Sequence, residues 1–277
     1  YSAFLRRYQD GTDAEDLRRR ISPFLMRRLK KEVLTELPDK IESVFTAQMS
    51  PEQAKVYEAT MMRLRQRVDS SVKEKGFERG RTEVLAAITQ LREICCHPSL
   101  VLDDYTGTSG KLDMLLDMLP EAIAKGRRVL LFSAFTSMLK ILRRELDDAG
   151  YETMYLDGDT PAQRRVEMAE QFNAGQGQIF LISLKAGGTG LNLTGADMVI
   201  HYDPWWNPAA EDQATDRAYR IGQTRKVEVI RLVTHASIEE QVVALGQRKK
   251  ALFDQLIKPG ESMVGGLSPQ EIMSLFQ

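Results

Sequence analysis

The stretch Gln178-Ile179-Phe180-Leu181-Ile182-Ser183-Leu184-Lys185-Ala186-Gly187-Gly188-Thr189-Gly190-Leu191-Asn192 decides the fold. Its first half is an apolar run with no polar alternation. A strand buried on both faces, in a parallel sheet covered by helices, reads this way. Its second half is a glycine-rich turn, expected to lead into a helical segment. Glycine permits positive φ and close backbone approach. Successive exposed amides make a nest for an anion, stronger still if a helix N-terminus follows.

Working outward, the same pattern recurs. Short apolar runs stand at Arg128–Ser133, Glu152–Leu156, Asp197–His201 and Val227–Val233, with a further strand within Ile41–Met49. Amphipathic helices separate them. Thr136 and Gly150 bracket one helix, Thr160-Pro161-Ala162-Gln163 reads as a capping box for another, and Asn207-Pro208 caps a third. This alternation argues an open α/β layer fold with a mainly parallel sheet.

Two other segments are helical. Ser50-Pro51-Glu52-Gln53 reads as a capping box opening a helix, and a second helix is expected from about Thr82 to Cys96. Asp69–Arg81 between them is polar and reads as a turn, and Tyr105–Gly110 as a linker. Residues 50–105 are therefore expected as a helical insertion. The basic, amphipathic stretch over residues 1–40 looks like a connector. Residues 234–277 hold a long basic helix from Ser237 and a short one from Ser268.

Composition bounds the chemistry. The chain has 277 residues, 43% hydrophobic, with net charge −1, enough for one large core and an appendage. Bulk charge names no partner, so a nucleic-acid surface has to come from local clusters such as Arg63/Arg65/Arg67 or Arg248-Lys249-Lys250, each equally readable as a solvated helix face. Cys95 and Cys96 are the two cysteines; they give no disulfide framework and, with His97, too few ligands for zinc, so core packing is expected. No apolar run approaches the roughly 20 residues of a membrane span. The chain opens on Tyr1 and reads as a piece of a longer one.

Three strings carry chemistry. In Ser183–Asn192, side-chain donors Ser183, Lys185 and Thr189 join the backbone amides of Gly188 and Gly190. Phosphate fits such a loop, and so does a tight turn made only for packing. In Gln213–Gln223, a helix from Pro208 would put Gln213, Arg217 and Arg220 on one face. Two guanidiniums there need an anion, because Arg keeps its charge and grips phosphate in a fork. Asp216 and Glu211 offer a structural ion pair instead. In Asp203-Pro204-Trp205-Trp206-Asn207-Pro208 a stiff loop carries two tryptophans, one expected to pack and the other to face a ligand or a nucleic-acid strand.

Leu131–Phe135, Gly187–Asn192, Asp203–Pro208 and Gln213–Gln223 resemble, in order and spacing, motifs IV, V, Va and VI of superfamily-two helicases, in the SWI/SNF branch. Ile21–Lys30, Glu36–Glu42, Ile94–Pro98 and Ser109–Leu112 are similar to further segments of that branch. The resemblance covers nearly the whole chain. It implies a RecA-like three-layer α/β/α lobe, the second of two in a double-stranded DNA translocase, with residues 41–233 as the lobe, 50–105 as its protrusion and 234–277 as a brace. ATP and Mg²⁺ would be held mainly by an N-terminal lobe, since no phosphate-loop string and no Asp-Glu-x-His string occurs here.

The resemblance also implies roles. Arg217 and Arg220 would be arginine fingers with Gln213 beside them, and Gly190 and Asn192 would face the nucleotide. Ser133, Ser183, Lys185, Gly188, Thr189 and Trp205 would lie along DNA. Implied partners are double-stranded DNA and the N-terminal lobe, with a nucleosome or an RNA polymerase as the remodelled target. The compartment would be nuclear or, with a slight lean to a bacterial source, the cytoplasm and nucleoid. A non-catalytic DNA- or protein-docking module, or a motor on RNA, are the competing readings.

Overall fold

The computed structural model describes residues 37–75, 77–186 and 190–256, with Asp16, Arg19 and Arg20 before them. The rest of the expected 1–40 connector, Gly188, Thr189 and the helix from Ser268 lie outside the described residues.

Six strands form one sheet: β1 (Lys40–Ala47), β2 (Val129–Ser133), β3 (Thr153–Leu156), β4 (Ile179–Ser183), β5 (Met198–His201) and β6 (Val227–Thr234). Their order is β1-β6-β5-β2-β4-β3 and every pairing is parallel. All five residues of β2 and of β4 are buried, as their unbroken apolar runs require. Alternate residues feed two cores. Leu130, Phe132, Phe180 and Ile182 meet Met168, Ala169 and Phe172 of α5 (Ala162–Asn173) on one face. Val129, Leu131, Ile179 and Leu181 meet Leu115 and Leu119 of α3 (Gly110–Ala124) and Leu139 and Leu142 of α4 (Thr136–Asp148) on the other. The result is the RecA-like three-layer α/β/α fold.

Between β1 and α3 the chain leaves the sheet as a helix pair, α1 (Pro51–Lys75) and α2 (Phe77–Cys96). On α2, Val84, Ile88, Leu91 and Ile94 recur at helical spacing and are fully buried. They build a third core with Tyr57 and Leu64 of α1, Trp206, and Ile238 and Val242 of α7 (Ile238–Leu256). Each such aliphatic side chain contributes about 1.5–3 kcal/mol by burial. Leu91→Ala would cost about 2–5 kcal/mol.

Three local expectations are corrected. The turn expected over residues 69–81 is confined to the point between the two helices: α1 continues to Lys75 and α2 begins at Phe77. At Ser50 half of the capping box forms, with the Gln53 amide donating to Ser50 Oγ at 3.2 Å. The Gln53 side chain instead reaches inward, donating to the Ile94 and Cys95 carbonyls and accepting from the Gly110 amide at 3.0 Å. At Thr160 no side-chain cap forms; its hydroxyl donates to Asp157.

Tyr105–Gly110 is not a loose linker. Ser109 caps α3 by accepting from the Leu112 amide and also donates to the Cys96 carbonyl at 2.7 Å. Gly110 cannot be anything larger, because a Cβ there would lie 1.7 Å from the Gln48 carbonyl oxygen. Lys111 follows it into the core, donating to Glu239 at 2.6 Å and to the Tyr202 carbonyl at 3.0 Å. Cys95 and Cys96 are fully buried, as expected of packing residues. Among the described residues no helix is long and apolar enough to cross a membrane.

Candidate functional site

Parallel strands put all their carboxyl ends on one edge, where open α/β sheets bind ligands. The loops after β2, β4 and β5 emerge there, and they carry the strings singled out above.

The loop after β5 is built on Asp203. One carboxylate oxygen accepts from Ser133 Oγ at 2.5 Å and from the Ala134 amide at 3.1 Å. The other accepts from Arg92 Nη2 at 3.0 Å. Ser133 is buried and its oxygen also accepts from the Phe135 amide. A direct phosphate contact from Ser133 is therefore corrected: its hydroxyl is committed to holding Asp203. Ser183 is buried as well, so its hydroxyl does not face solvent.

The tryptophans separate. Trp206 is 9% exposed and belongs to the core of the helical insertion. Trp205 is half-buried, and its amide donates to Glu211 at 2.7 Å. Glu211 also takes Arg231 Nε at 2.7 Å. It is thus spent on Trp205 and Arg231 and is not the ion-pair partner of Arg217 or Arg220. Burial pushes the Glu211 carboxyl up, and Arg231 pulls against that.

The loop after β4 leaves Lys185, Gly190 and Asn192 exposed, with Gly190 at φ 63°. No helix follows within residues 190–197, so any anion nest there rests on loop amides without a helix dipole behind them. The Asn192 carbonyl is pinned by Asn173 Nδ2 at 2.9 Å.

The expected helix through Gln213–Arg220 is shorter than its composition suggests. α6 (Pro208–Thr215), capped by Asn207 and started by Pro208, stops at Thr215, and Asp216–Gly222 is a run of turns. Thr215 Oγ1 is held by His201 Nε2 at 3.0 Å. Gln213 and Arg220 are exposed, while Arg217 is only 8% exposed. The turns are stitched to the loop after β4. The Leu193 amide donates to the Arg217 carbonyl at 2.9 Å. Gln223 Nε2 donates to the carbonyls of Thr194, Ala196 and Ala218 at 3.2, 2.7 and 3.1 Å.

Burial holds the Arg217 guanidinium below the ordinary Arg value, the neighbouring Arg220 charge lowers it further, and Asp216 opposes both. Two like charges, one of them desolvated, gain from an anion placed against them. The site thus presents two guanidinium groups, donors suited to phosphate.

Sequence reading missed Arg92 and Gln223. Arg92 lies between Leu91 and Ile94 on the buried side of α2, and a cation in that register demands a buried carboxylate. A groove of about 690 Å³ along β3, lined by residues including Arg143, Tyr155, Asp157 and Arg164, takes in none of the expected site residues.

The family model "Helicase conserved C-terminal domain" matches residues 110–222 and "SNF2-related domain" matches residues 4–100. YwqA of Bacillus subtilis, a candidate ATP-dependent helicase/translocase, is 39% identical over 268 residues, 94% of this chain and 28% of its own length. The chromatin structure-remodeling complex subunit snf21 of Schizosaccharomyces pombe is 37% identical, over 87% of this chain and 21% of its own length. The chain thus spans about a quarter of these relatives. Among solved structures, the Sulfolobus solfataricus SWI2/SNF2 ATPase C-terminal domain is 30% identical with TM-score 0.68, covering 86% of this chain and 98% of that one. The ATPase core of the same name, in complex with dsDNA, is 34% identical with TM-score 0.71, covering 94% and 55%.

Proposed function

Because this chain belongs to the SWI2/SNF2 family of ATPases, we propose that it is the C-terminal motor lobe of an ATP-dependent translocase on double-stranded DNA. It supplies one wall of an ATP site whose other wall is an N-terminal RecA-like lobe. The observation that carries this reading is the stitching of the 216–223 turns onto the loop after β4, through Leu193–Arg217 and Gln223–Ala196. That union brings Arg217 and Arg220 into register with Gly190 and Asn192.

Arg217 and Arg220 act as arginine fingers on the phosphoryl group in flight, Arg220 reaching furthest because it is exposed. Such fingers are worth about 10³–10⁵ in rate. Gln213, at the exposed end of α6, couples them to DNA. Mg²⁺ does not fit here: Asp203 and Glu211 are already paired with Arg92 and Arg231, so the metal and its screening of phosphate charge belong to the other lobe. Lys185 and Trp205 face the DNA backbone and a strand, and Gly188 and Thr189 are assigned to the same DNA contact by the family motif alone. Ser133 supports them through Asp203. Backbone-directed contact of this kind has little sequence preference and strong salt dependence.

ATP binding closes the two lobes and hydrolysis reopens them, so that grip alternates along one strand. Residues 50–105 serve as a protrusion of the lobe spanning 41–233, and α7 as a brace. The remodelled target is a DNA-bound assembly, a nucleosome or a stalled RNA polymerase. The test is Arg220→Ala in the two-lobed protein. DNA-stimulated turnover should fall at least a thousand-fold, on the order expected for a lost finger, with duplex affinity kept. Intact turnover would favour a docking module without a catalytic role.

A further inference from the structure

Arg92 is the one place where the helical insertion grips the loops at the sheet's carboxyl edge by a buried charge among the described residues. It is 1% exposed, on an otherwise apolar helix face. Its Nη2 donates to Asp203 Oδ2 at 3.0 Å and to the Pro204 carbonyl at 2.7 Å. Its Cζ lies 5.1, 5.2 and 5.7 Å from the ring centroids of Phe135, Trp205 and Trp206. Asp203 in turn holds Ser133 Oγ and the Ala134 amide. One guanidinium therefore fixes the loop after β2 and the loop after β5 together, and both from α2.

A buried ion pair is weak evidence of a stabilising role, since hydrophobic replacements of equal volume are often neutral or better. What an arginine offers that a hydrocarbon does not is direction. Here one terminal nitrogen, Nη2, fixes two oxygens from its two N–H bonds, and the flat guanidinium plane fixes the rings. Three aromatic rings around one plane have few alternative poses.

We propose that Arg92 is a positioning residue: it sets the pose of Trp205 and anchors the DNA-facing loops to the α1–α2 insertion. This rests on the reading of that edge as DNA-facing. Of the two tryptophans Trp205 is the half-exposed one, so its pose governs what a strand meets there.

The two tryptophans of the chain are Trp205 and Trp206, which makes emission a local probe. Arg92→Lys and Arg92→Met would be compared with the wild-type chain by thermal melting, tryptophan emission with iodide quenching, and binding of a labelled 20-base-pair duplex. Arg92→Lys keeps the charge but lacks the guanidinium plane that the three rings pack around. We expect it to melt as a folded protein, with red-shifted and more quenchable emission. We expect duplex affinity about ten-fold weaker, the scale of one misplaced stacking aromatic. Arg92→Met should behave alike, and it guards against a misfolded lysine variant.

Wild-type emission and wild-type affinity in either folded variant would overturn the proposal. So would losses that vanish once the fraction folded is taken into account. Emission is read without DNA, which separates the two readings. A wild-type chain blind to duplex would remove the DNA-facing edge, and the emission shift would still decide whether Arg92 sets the tryptophan pose.

Discussion

The side-chain amide of Gln223 donates to the Ala196 carbonyl at 2.7 Å, across twenty-odd residues of chain. The same nitrogen reaches the carbonyls of Thr194 and Ala218, and Gln223 Oε1 accepts from the Arg225 amide at 2.8 Å. One glutamine thus ties the turns that carry Arg217 and Arg220 to the loop that carries Gly190 and Asn192.

Gln223→Leu keeps the volume and removes those bonds, leaving buried carbonyls without donors. A loss of about 1–3 kcal/mol is expected, read as a lower urea midpoint with an unchanged slope. If Arg217 and Arg220 act as the proposed fingers, turnover in a two-lobed protein should fall by more than the folded fraction does. A variant as active and as stable as wild type would remove Gln223 from the site.

Lys111 and Glu239 form a pair with both side chains fully buried, 2.6 Å apart. Lys111→Met leaves Glu239 charged in the core and should cost about 3–5 kcal/mol. Adding Glu239→Gln, which still accepts from the Thr234 amide, should recover most of that loss. A double-mutant cycle in urea reads the coupling, and additive losses would contradict it.

Burial, with the nearby Arg231 charge second, pushes His201 from 6.5 down to about 3. The unfolded chain takes up a proton near pH 6.5 that the folded chain refuses. Stability is therefore complete above that pH and falls as pH drops, by up to about 1.4 kcal/mol per unit until pH about 3. His201→Asn, which can still meet Thr215, should flatten the fall in urea midpoint between pH 6.5 and 4.5. An unchanged slope would place the acid sensitivity elsewhere.

The proposed backbone-directed contacts predict that duplex DNA binding weakens steeply with salt, log K falling linearly with log salt. Lys185→Ala should lower that slope by about one and weaken all sequences alike. Stimulation by duplex RNA as strong as by duplex DNA would point to the RNA-directed reading, since A-form helices present a different groove.

The centre of the sheet was legible because β2, β4 and β5 are buried on both faces and have almost nothing polar to alternate with. β1 was harder: it is an edge strand, with Ile41 at 52% and Val44 at 49% exposed, and its bounds shift to Lys40–Ala47. The site strings were legible as composition but not as conformation. Asp216–Arg220 is helix-friendly, yet α6 stops at Thr215, where the chain is held by long-range bonds from His201 to Thr215 and from the Leu193 amide to the Arg217 carbonyl. Gln53 was read as a local cap and serves a distant helix end instead. Ser133 looked like a phosphate donor because its loop is at the right edge; only the Asp203 carboxylate, seventy residues on, shows where its hydroxyl goes.

The most direct test of the split-site account is ATP hydrolysis, with and without duplex DNA, by this chain and by the same chain joined to its N-terminal RecA-like lobe. The account expects the chain alone to be silent and the joined protein to turn over ATP under stimulation by DNA. Turnover by the chain alone would mean that a complete ATP site lies within these 277 residues, and would contradict it.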